Sequence, residues 1–338
     1  MATPLPNPYV AASMTAITKL SPARPVYQID YAINSTTNTS FVVKAEGRRA
    51  QVTDNDGKAT PVARHNQQTG LQTSLMLMRD AARGGRGRVL NDTEARAFAT
   101  RALLLLAGGE VNDFRSAFNT ESLWMLLGLK DGLVDLEAIV QGGNALRATQ
   151  ILMSLRDPEN LDRLGRILAT DIFLGNRDRF QNDVGNDGIQ NPGNVFFVEK
   201  GTGEFKIKGL DVFDSTKNTA LMSHTVTRGC ERDPTAGDVN HWAGPLLKDP
   251  IHLRRVADNA LTSMYDELSG VLRNANIGPG IIRGYEFGPQ HTHLVVAGMN
   301  AAIVVIKASC KQRLAQMRKG KVDTSGLKSR MKLMNWST

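Results

Sequence analysis

The chain has 338 residues, 41% of them hydrophobic, which is enough to bury a large core and favours an organisation in two lobes. Its two cysteines exclude a disulfide framework and a zinc cluster, so we expect a reducing compartment. The N-terminal segment lacks the features of a secretory signal, and the longest apolar runs are too short or too interrupted to span a bilayer. These features predict a cytoplasmic protein, either of a bacterium or, for a secreted effector, of the host cell.

The positive charge is concentrated near the C-terminus. The formal net charge is +8, and residues 307–332 contain nine Lys or Arg against one acid, Asp323. The remaining residues balance at 32 basic and 32 acidic side chains. We interpret 307–332 as a solvated helix with a frayed end; the alternative is a docking patch for an acidic partner, an anionic membrane or nucleic acid. No specific nucleic-acid recognition is predicted.

A strand that carries a lysine follows an N-terminal leader. Residues 1–25 contain five prolines and little periodicity, which predicts a mobile leader. Residues 26–33 and 40–46 then form two predicted strands, with Lys44 on the second. A small polar turn between strands can contact nucleotide phosphates, and a lysine opposite can pair with them. The candidate contacts in this turn are Ser35, Thr36, Thr37, Asn38 and Thr39. The alternative is an ordinary hairpin turn beside an exposed lysine.

Apolar residues at helical spacing then predict several helices. One helix begins after the capping sequence Asn91-Asp92-Thr93-Glu94. Glu94 is the candidate acid for pairing with Lys44, although a glutamate in the first turn can equally stabilise its own helix, and Glu110 is a second candidate. Residues 117–174 carry further apolar positions at helical spacing and predict the core helices of a larger second lobe.

Three polar side chains after these helices carry the candidate chemistry: Asp178, Asn194 and Asp211. Residues 195–198 and 205–207 are the strands of a predicted hairpin, so Asn194 and Asp211 are expected side by side. Phosphoryl transfer requires an acid that orients the nucleophile, together with an amide and a second acid that hold the metal ion. The alternative is that these side chains only cap turns in a loop rich in Asn, Asp and Gly.

Two irregular segments flank these candidates. Residues 179–193 are polar, and we expect either substrate contacts or a merely mobile loop there. Residues 183–188 weakly match a calcium-binding loop, but Asn194 stands where that loop requires an acid, which excludes a calcium site. Residues 216–250 are typical of an activation or substrate-binding segment. Helices are predicted after it, at about 251–274 and from about 290.

Together, these motifs resemble the phosphatidylinositol 3-/4-kinase-like branch of the protein-kinase fold. The resemblance rests on the turn followed by Lys44, on the loop Gly175-Asn176-Arg177-Asp178-Arg179, on Asn194, and on Leu210-Asp211. It covers about residues 26–270 and is nearest to the actin-fragmin kinase type of atypical protein kinase. It implies an α+β, two-lobed protein-kinase-like fold with a small β-containing N-lobe and a larger, mainly helical C-lobe. The implied divisions are a leader at 1–25, an N-lobe at 26–115, a C-lobe at 116–306 and a basic tail at 307–338.

The resemblance also implies ATP and Mg²⁺ as cofactors. It implies that Lys44 contacts the ATP phosphates and is held by Glu94, that Asp178 is the catalytic acid/base, and that Asn194 and Asp211 bind Mg²⁺.

Two departures qualify these assignments. Phe180 stands where lipid kinases often have a histidine, and Asp211 is not followed by the glycine of ordinary protein kinases. Asp214 is an alternative to Asp211.

The leading hypothesis is an ATP- and Mg²⁺-dependent protein Ser/Thr kinase of atypical type that acts on a protein substrate, with a bacterial effector that acts on a host protein as one setting. The first alternative is a lipid or small-molecule kinase on the same fold, whose basic tail approaches an anionic membrane. The second alternative is a kinase-like scaffold without catalytic activity that binds a partner.

Overall fold

The computed structural model describes residues 4–21, 24–35, 37–46, 51–53, 59–61, 64–118, 123–128, 132–174, 176, 179–183, 186–189, 191–201, 203–210, 247–322 and 324–337. Three candidate residues from the sequence lie outside this part of the chain, namely Thr36, Asp178 and Asp211. Most of the expected activation segment and the alternative acid Asp214 also lie outside it.

The described residues form a mixed α+β structure with an antiparallel sheet region and a larger helical part. The strands are β1 Met14–Lys19, β2 Val26–Ala32, β3 Asn38–Glu46, β4 Gln51–Thr53, β5 Ala59–Pro61, β6 Gly87–Val89, β7 Leu123–Gly128, β8 Leu133–Asp135, β9 Phe180–Asp183, β10 Asn186–Ile189, β11 Phe196–Gly201 and β12 Glu204–Lys208. The helices are α1 Arg64–Asp80, α2 Asp92–Leu105, α3 Gly109–Ala117, α4 Leu136–Gly142, α5 Ala145–Leu155, α6 Pro158–Leu174, α7 Pro250–Asn274, α8 Pro279–Arg283, α9 Pro289–Lys319 and α10 Ser325–Leu333. Short 3-10 helices lie at Ala11–Ser13 and Pro192–Asn194.

Strands β1, β2, β3, β7 and β6 form one antiparallel sheet in that spatial order. Side chains of a strand point alternately to opposite faces, and one face of this sheet packs on α2 and α3 through an aromatic cluster. In that cluster the ring centroids of Phe98 and Trp124 are 5.4 Å apart, and those of Tyr27 and Phe114 are 5.3 Å apart. The opposite face contributes Val89 and Met125 to the core that contains α1.

The helical part is organised around the crossing of α6 and α9. A Cβ atom at Gly165 of α6 would lie 2.0 Å from the carbonyl oxygen of Val295, and a Cβ atom at Gly298 of α9 would lie 2.3 Å from that of Asp162. Two glycines therefore allow the two helix backbones to approach more closely than side chains would permit. Helix α9 is also long and apolar enough to cross a membrane by length and composition, but its buried residues belong to this core.

Strands β12, β11 and β8 form a second, three-stranded antiparallel sheet beside α5 and α6. Asn160 of α6 holds β12 in place, because its side chain donates to the carbonyl of Phe205 at 2.8 Å and accepts from the Ile207 amide at 3.1 Å. This attachment positions the hairpin that the sequence predicts between residues 195 and 207.

The structure corrects three expectations about organisation. The predicted leader contains β1, whose Met14 is buried, so part of it belongs to the sheet. The sheet also includes β7, which lies beyond the predicted N-lobe boundary at residue 115. The basic segment is not a frayed end, because α10 packs on the helical core through Leu327 and Met331. The apolar residues of these segments do not by themselves predict burial, because burial depends on the surfaces against which the segments pack.

Candidate functional site

A cavity of about 440 Å³ lies between the five-stranded sheet and the segment that runs from the second 3-10 helix into β11. Its apolar lining includes Val26 and Val42 from the sheet, with Leu133 and Phe196 from β8 and β11. Ligand cavities typically combine such apolar walls with a few polar groups that fix orientation. The cavity meets that description, because the candidate residues Lys44 and Asn194 also line it.

Strand alternation places Lys44 in this cavity. Its neighbours Val43 and Ala45 are buried in the aromatic cluster on one face of β3, so Lys44 and Val42 belong to the opposite face. Lys44 is only 8% exposed, and its backbone pairs with Val26 in the ladder. The ammonium group therefore lies at the cavity edge of the sheet, next to the loop that joins β1 to β2.

Asn194 is positioned by the short helix that it ends. The side chain of Asn191 accepts a hydrogen bond from the Gly193 amide and caps that helix, and the chain then enters β11. Asn194 itself is 7% exposed. Phe196 and Lys208 are the last paired residues at this end of the β11–β12 hairpin, and Asn194 and Leu210 each lie two positions beyond them in the chain. Both residues line the cavity. The expected convergence of Asn194 and Asp211 stays a prediction, because Asp211 lies outside the described residues.

A buried polar network lies at the end of α6. Asp171 and Arg179 form an ion pair with Oδ2 and Nε 3.3 Å apart, and each side chain is 1% exposed. The Asn176 side chain donates to Asp171 Oδ1 at 3.0 Å, and the Asn176 amide donates to the Asp171 carbonyl at 2.8 Å. Arg179 also donates from Nη2 to the main-chain carbonyl of Leu210. The network therefore connects the loop after α6 to the end of the hairpin.

This network bears on the two predicted acids, although both lie outside the described residues. Arg179 directly follows Asp178, and Leu210 directly precedes Asp211. The hydrogen bond between Arg179 and Leu210 therefore joins the two described residues that are adjacent in sequence to the predicted acids. The sequence analysis did not identify Asp171 or Arg179 as structural partners. The available signal was an acid within the mostly apolar last two turns of α6.

The structure corrects the location of the predicted phosphate-binding turn. In the β2–β3 ladder Ala32 pairs with Asn38, whereas Lys44 pairs with Val26 at the other end. Six residues of strand span about 20 Å, so the turn that holds Ser35, Thr37, Asn38 and Thr39 lies far from Lys44 along β3.

The loop between β1 and β2 lies next to Lys44 instead. Its residues Leu20, Ser21 and Arg24 line the cavity with Lys44. The sequence analysis did not identify this loop, because it places β1 in the leader and does not predict the pairing of β1 with β2.

Glu94 has a different partner from the one predicted. Its carboxylate accepts two hydrogen bonds of 2.8 Å from Arg88 and one each from the Tyr9 and Asn91 amides. Burial raises the pKa of Glu94, but the hydrogen bonds and the charge of Arg88 outweigh it and hold that pKa at about 2. Helix α2, which carries Glu94, packs on the face of the sheet opposite Lys44. The expected pair with Lys44 is therefore replaced by a pair with Arg88.

Among the residues that the structure describes, no group of three or more His, Cys, Asp or Glu side chains is arranged to hold a metal ion. The predicted metal site combines the amide of Asn194 with Asp211, and Asp211 lies outside those residues. An amide oxygen such as that of Asn194 is a ligand type that Mg²⁺ accepts, and both Asn194 and Asp211 stay predicted ligands.

Comparisons with known proteins add no identity to this geometry. No protein-family model matches the chain, and no curated protein matches it significantly. The interpretation of the site consequently depends on its own residues and on the resemblance carried by its motifs.

Proposed function

We propose that the protein is an ATP- and Mg²⁺-dependent phosphotransferase, specifically a protein Ser/Thr kinase of atypical type. The observation that carries the proposal is that Lys44, Asn194 and Leu210, which are distant in sequence, line one cavity. Phosphoryl transfer requires mainly a lysine on the phosphates, oxygen ligands for the metal ion and an acid that orients the acceptor. Lys44 and Asn194 are the candidates for the first two roles, and both line this cavity. Asp178 is the candidate for the third role and directly precedes Arg179, which donates a hydrogen bond to the carbonyl of the cavity residue Leu210.

The arrangement of the sheet supports a two-lobed kinase-like fold. In protein kinases the nucleotide-binding lysine lies on the third strand, and Lys44 lies on β3 of this sheet. The loop between the first two strands covers the phosphates in that arrangement, and here the corresponding loop contributes Ser21 and Arg24 to the cavity. The larger helical part follows β7 in the chain, as the C-lobe does in the proposed fold.

The cavity residues fit a magnesium nucleotide. Val26, Val42 and Phe196 offer apolar surface for a base, Lys44 offers a cation for the phosphates, and Asn194 offers an amide oxygen for the metal ion. When bound, Mg²⁺ neutralises the charge that develops on the transferred phosphoryl group.

Residues of the chain itself position the substrates and accept the proton of the acceptor hydroxyl. In the proposal Lys44 holds the phosphates in position, and Asp178 orients the acceptor hydroxyl and accepts its proton. Arg179, which follows Asp178 in the sequence, links the end of α6 to the end of the hairpin, because it contacts both Asp171 and the Leu210 carbonyl. Such positioning is the main contribution of a kinase to the transfer step.

The test is transfer of radiolabelled γ-phosphate from Mg-ATP by the full chain, with protein mixtures and phosphoinositide vesicles as separate acceptors. We expect labelled Ser or Thr in proteins, and loss of transfer in Asp178→Ala, Asp211→Ala and Lys44→Ala. Lys200→Ala is the matched control, since Lys200 is an exposed strand lysine outside the cavity. Labelling of vesicles but not of proteins would indicate that the acceptor is a lipid. Absence of transfer to every acceptor, or normal activity of Asp178→Ala, would refute the proposed mechanism.

A further inference from the structure

A second cavity, of about 530 Å³, lies between α1, β6 and the C-terminal part of α9. Four arginines line it: Arg79, Arg86, Arg88 and Arg313. Among the described residues of its lining, Glu94 is the only acid. We refer to it as the arginine cavity. It is separate from the candidate nucleotide cavity, although Arg86 lines both.

Two of these arginines are already neutralised. Arg88 forms the two-pronged contact with Glu94 described above, with both nitrogen–oxygen distances at 2.8 Å. Arg79 binds Asp80 in the same way, with distances of 2.6 and 3.0 Å. Planar guanidinium and carboxylate groups match each other in such pairs, so these two arginines retain little free charge.

Arg313 differs because its described partners are neutral. Its Nη2 donates to the Gln72 side chain at 2.9 Å, its Nε to the Thr73 hydroxyl at 3.3 Å, and its Nη1 to the Gln316 side chain at 3.3 Å. These bonds use three of the five N–H groups of a guanidinium. Burial without an acid lowers the pKa of Arg313. A partly buried cation whose described contacts are all uncharged favours an anionic ligand.

Arg86 adds a second positive charge to the lining. It is exposed, and within the described part of the chain it forms no ion pair with an acid. The amide side chains of Gln68, Gln72 and Asn91 supply further hydrogen-bonding groups around the cavity. Two arginine forks and several amide donors in one lining suit an anion that has several oxygens and two negative charges.

We propose that the arginine cavity binds a phosphate monoester group through Arg313 and Arg86. A group held there contacts α1, the start of β6 and α9 at once, so it joins the sheet to the helical part. The cavity is larger than one phosphate, and the group therefore belongs to a larger molecule, either a free phosphorylated metabolite or a phosphorylated side chain. This inference does not depend on the proposed phosphotransferase activity.

The test is calorimetric titration of the full chain at constant ionic strength with inorganic phosphate, O-phosphoserine and a phosphoserine peptide. We expect saturable binding, and a Kd raised at least about tenfold by Arg313→Gln or by Arg86→Gln, because charge-assisted hydrogen bonds are lost. Arg318→Gln, an exposed arginine on the same helix, is the matched control and should leave the Kd unchanged. The tightest probe identifies the source, since a phosphopeptide preference indicates a phosphorylated side chain and equal affinity for O-phosphoserine indicates a free metabolite.

Lys44→Ala separates this site from the nucleotide cavity. Phosphate binding that survives in Lys44→Ala but is lost in Arg313→Gln supports the inference even if the protein transfers no phosphate. An unchanged Kd in Arg313→Gln and Arg86→Gln, or no saturable binding of any probe, would overturn it. Because Arg86 is exposed, Arg86→Gln should fold, and it tests the proposal even if Arg313→Gln does not fold.

Discussion

Arg179 donates a hydrogen bond to the main-chain carbonyl of Leu210 while its guanidinium is paired with the buried carboxylate of Asp171. The first contact joins two segments that are thirty-one positions apart in sequence. The second anchors both segments to the end of α6. In the proposed function, Arg179 is therefore a candidate positioning residue.

Arg179→Met should lower both stability and activity. Removing one member of a buried ion pair leaves the other charge uncompensated, which costs about 3–5 kcal/mol of unfolding free energy. We expect a loss of this size in urea unfolding monitored by circular dichroism. Arg179→Lys should have intermediate stability and activity. An ammonium keeps the positive charge but lacks the guanidinium fork that reaches Asp171 and the Leu210 carbonyl at once.

The double variant Asp171→Leu/Arg179→Met separates structure from positioning. Replacing a whole buried ion pair by apolar residues is often nearly neutral, so this variant should recover most of the stability lost in Arg179→Met. Phosphate transfer should stay low, because the contact to Leu210 is still absent. Recovery of transfer together with stability would mean that Arg179 has only a structural role.

Asn194→Ala should weaken Mg²⁺-dependent ATP binding. Its amide oxygen is the described metal-ligand candidate on the cavity, and its loss should raise the Mg²⁺ concentration for half-maximal binding at least about tenfold. Fluorescent ATP-analogue binding at increasing Mg²⁺ concentration measures this effect. Lys200→Ala should bind as the wild type does, and an unaltered Mg²⁺ dependence in Asn194→Ala would contradict the assignment.

Gly298→Ala should destabilise the helical part. The added Cβ atom would lie 2.3 Å from the Asp162 carbonyl oxygen and 2.8 Å from the Asp162 Cα, so the backbones of α6 and α9 must separate. We expect a loss of roughly 1–3 kcal/mol or more in unfolding free energy. Gly270→Ala is the control, because the nearest atom to its Cβ is a flexible Arg273 nitrogen at 3.9 Å, and alanine there should stabilise α7 by roughly 0.5–1 kcal/mol.

Glu94 should make stability depend on pH in the acid range. Its pKa falls from 4.5 to about 2 in the folded state, so the unfolded chain binds a proton first as the pH drops. The stabilisation is complete above about pH 4.5 and is lost as the pH falls towards 2. It amounts to on the order of 3 kcal/mol. The difference in unfolding free energy between the wild type and Glu94→Gln should therefore shrink between pH 5 and pH 2.5, and a constant difference would refute the assignment.

The sequence by itself determined much of the local structure and the candidate chemistry. Alternation in residues 26–33 and 40–46 predicted β2 and β3, since the strand pattern is readable wherever one face is buried. The combination of a small antiparallel sheet with a larger helical part was also predicted and is confirmed. The hairpin predicted from residues 195–198 and 205–207 is also confirmed, as β11 and β12.

Only the tertiary structure decided which charged groups meet. The partner of Glu94 is Arg88, because α2 packs on the aromatic face of the sheet while Lys44 occupies the other face. The loop beside Lys44 is the one between β1 and β2, since β1 becomes a strand only by pairing with β2. Side-chain pairing between distant segments depends on how elements pack in three dimensions, and neither periodicity nor spacing encodes it. The contact from Arg179 to Leu210 is of the same kind, and it connects the segments that carry the two predicted catalytic acids.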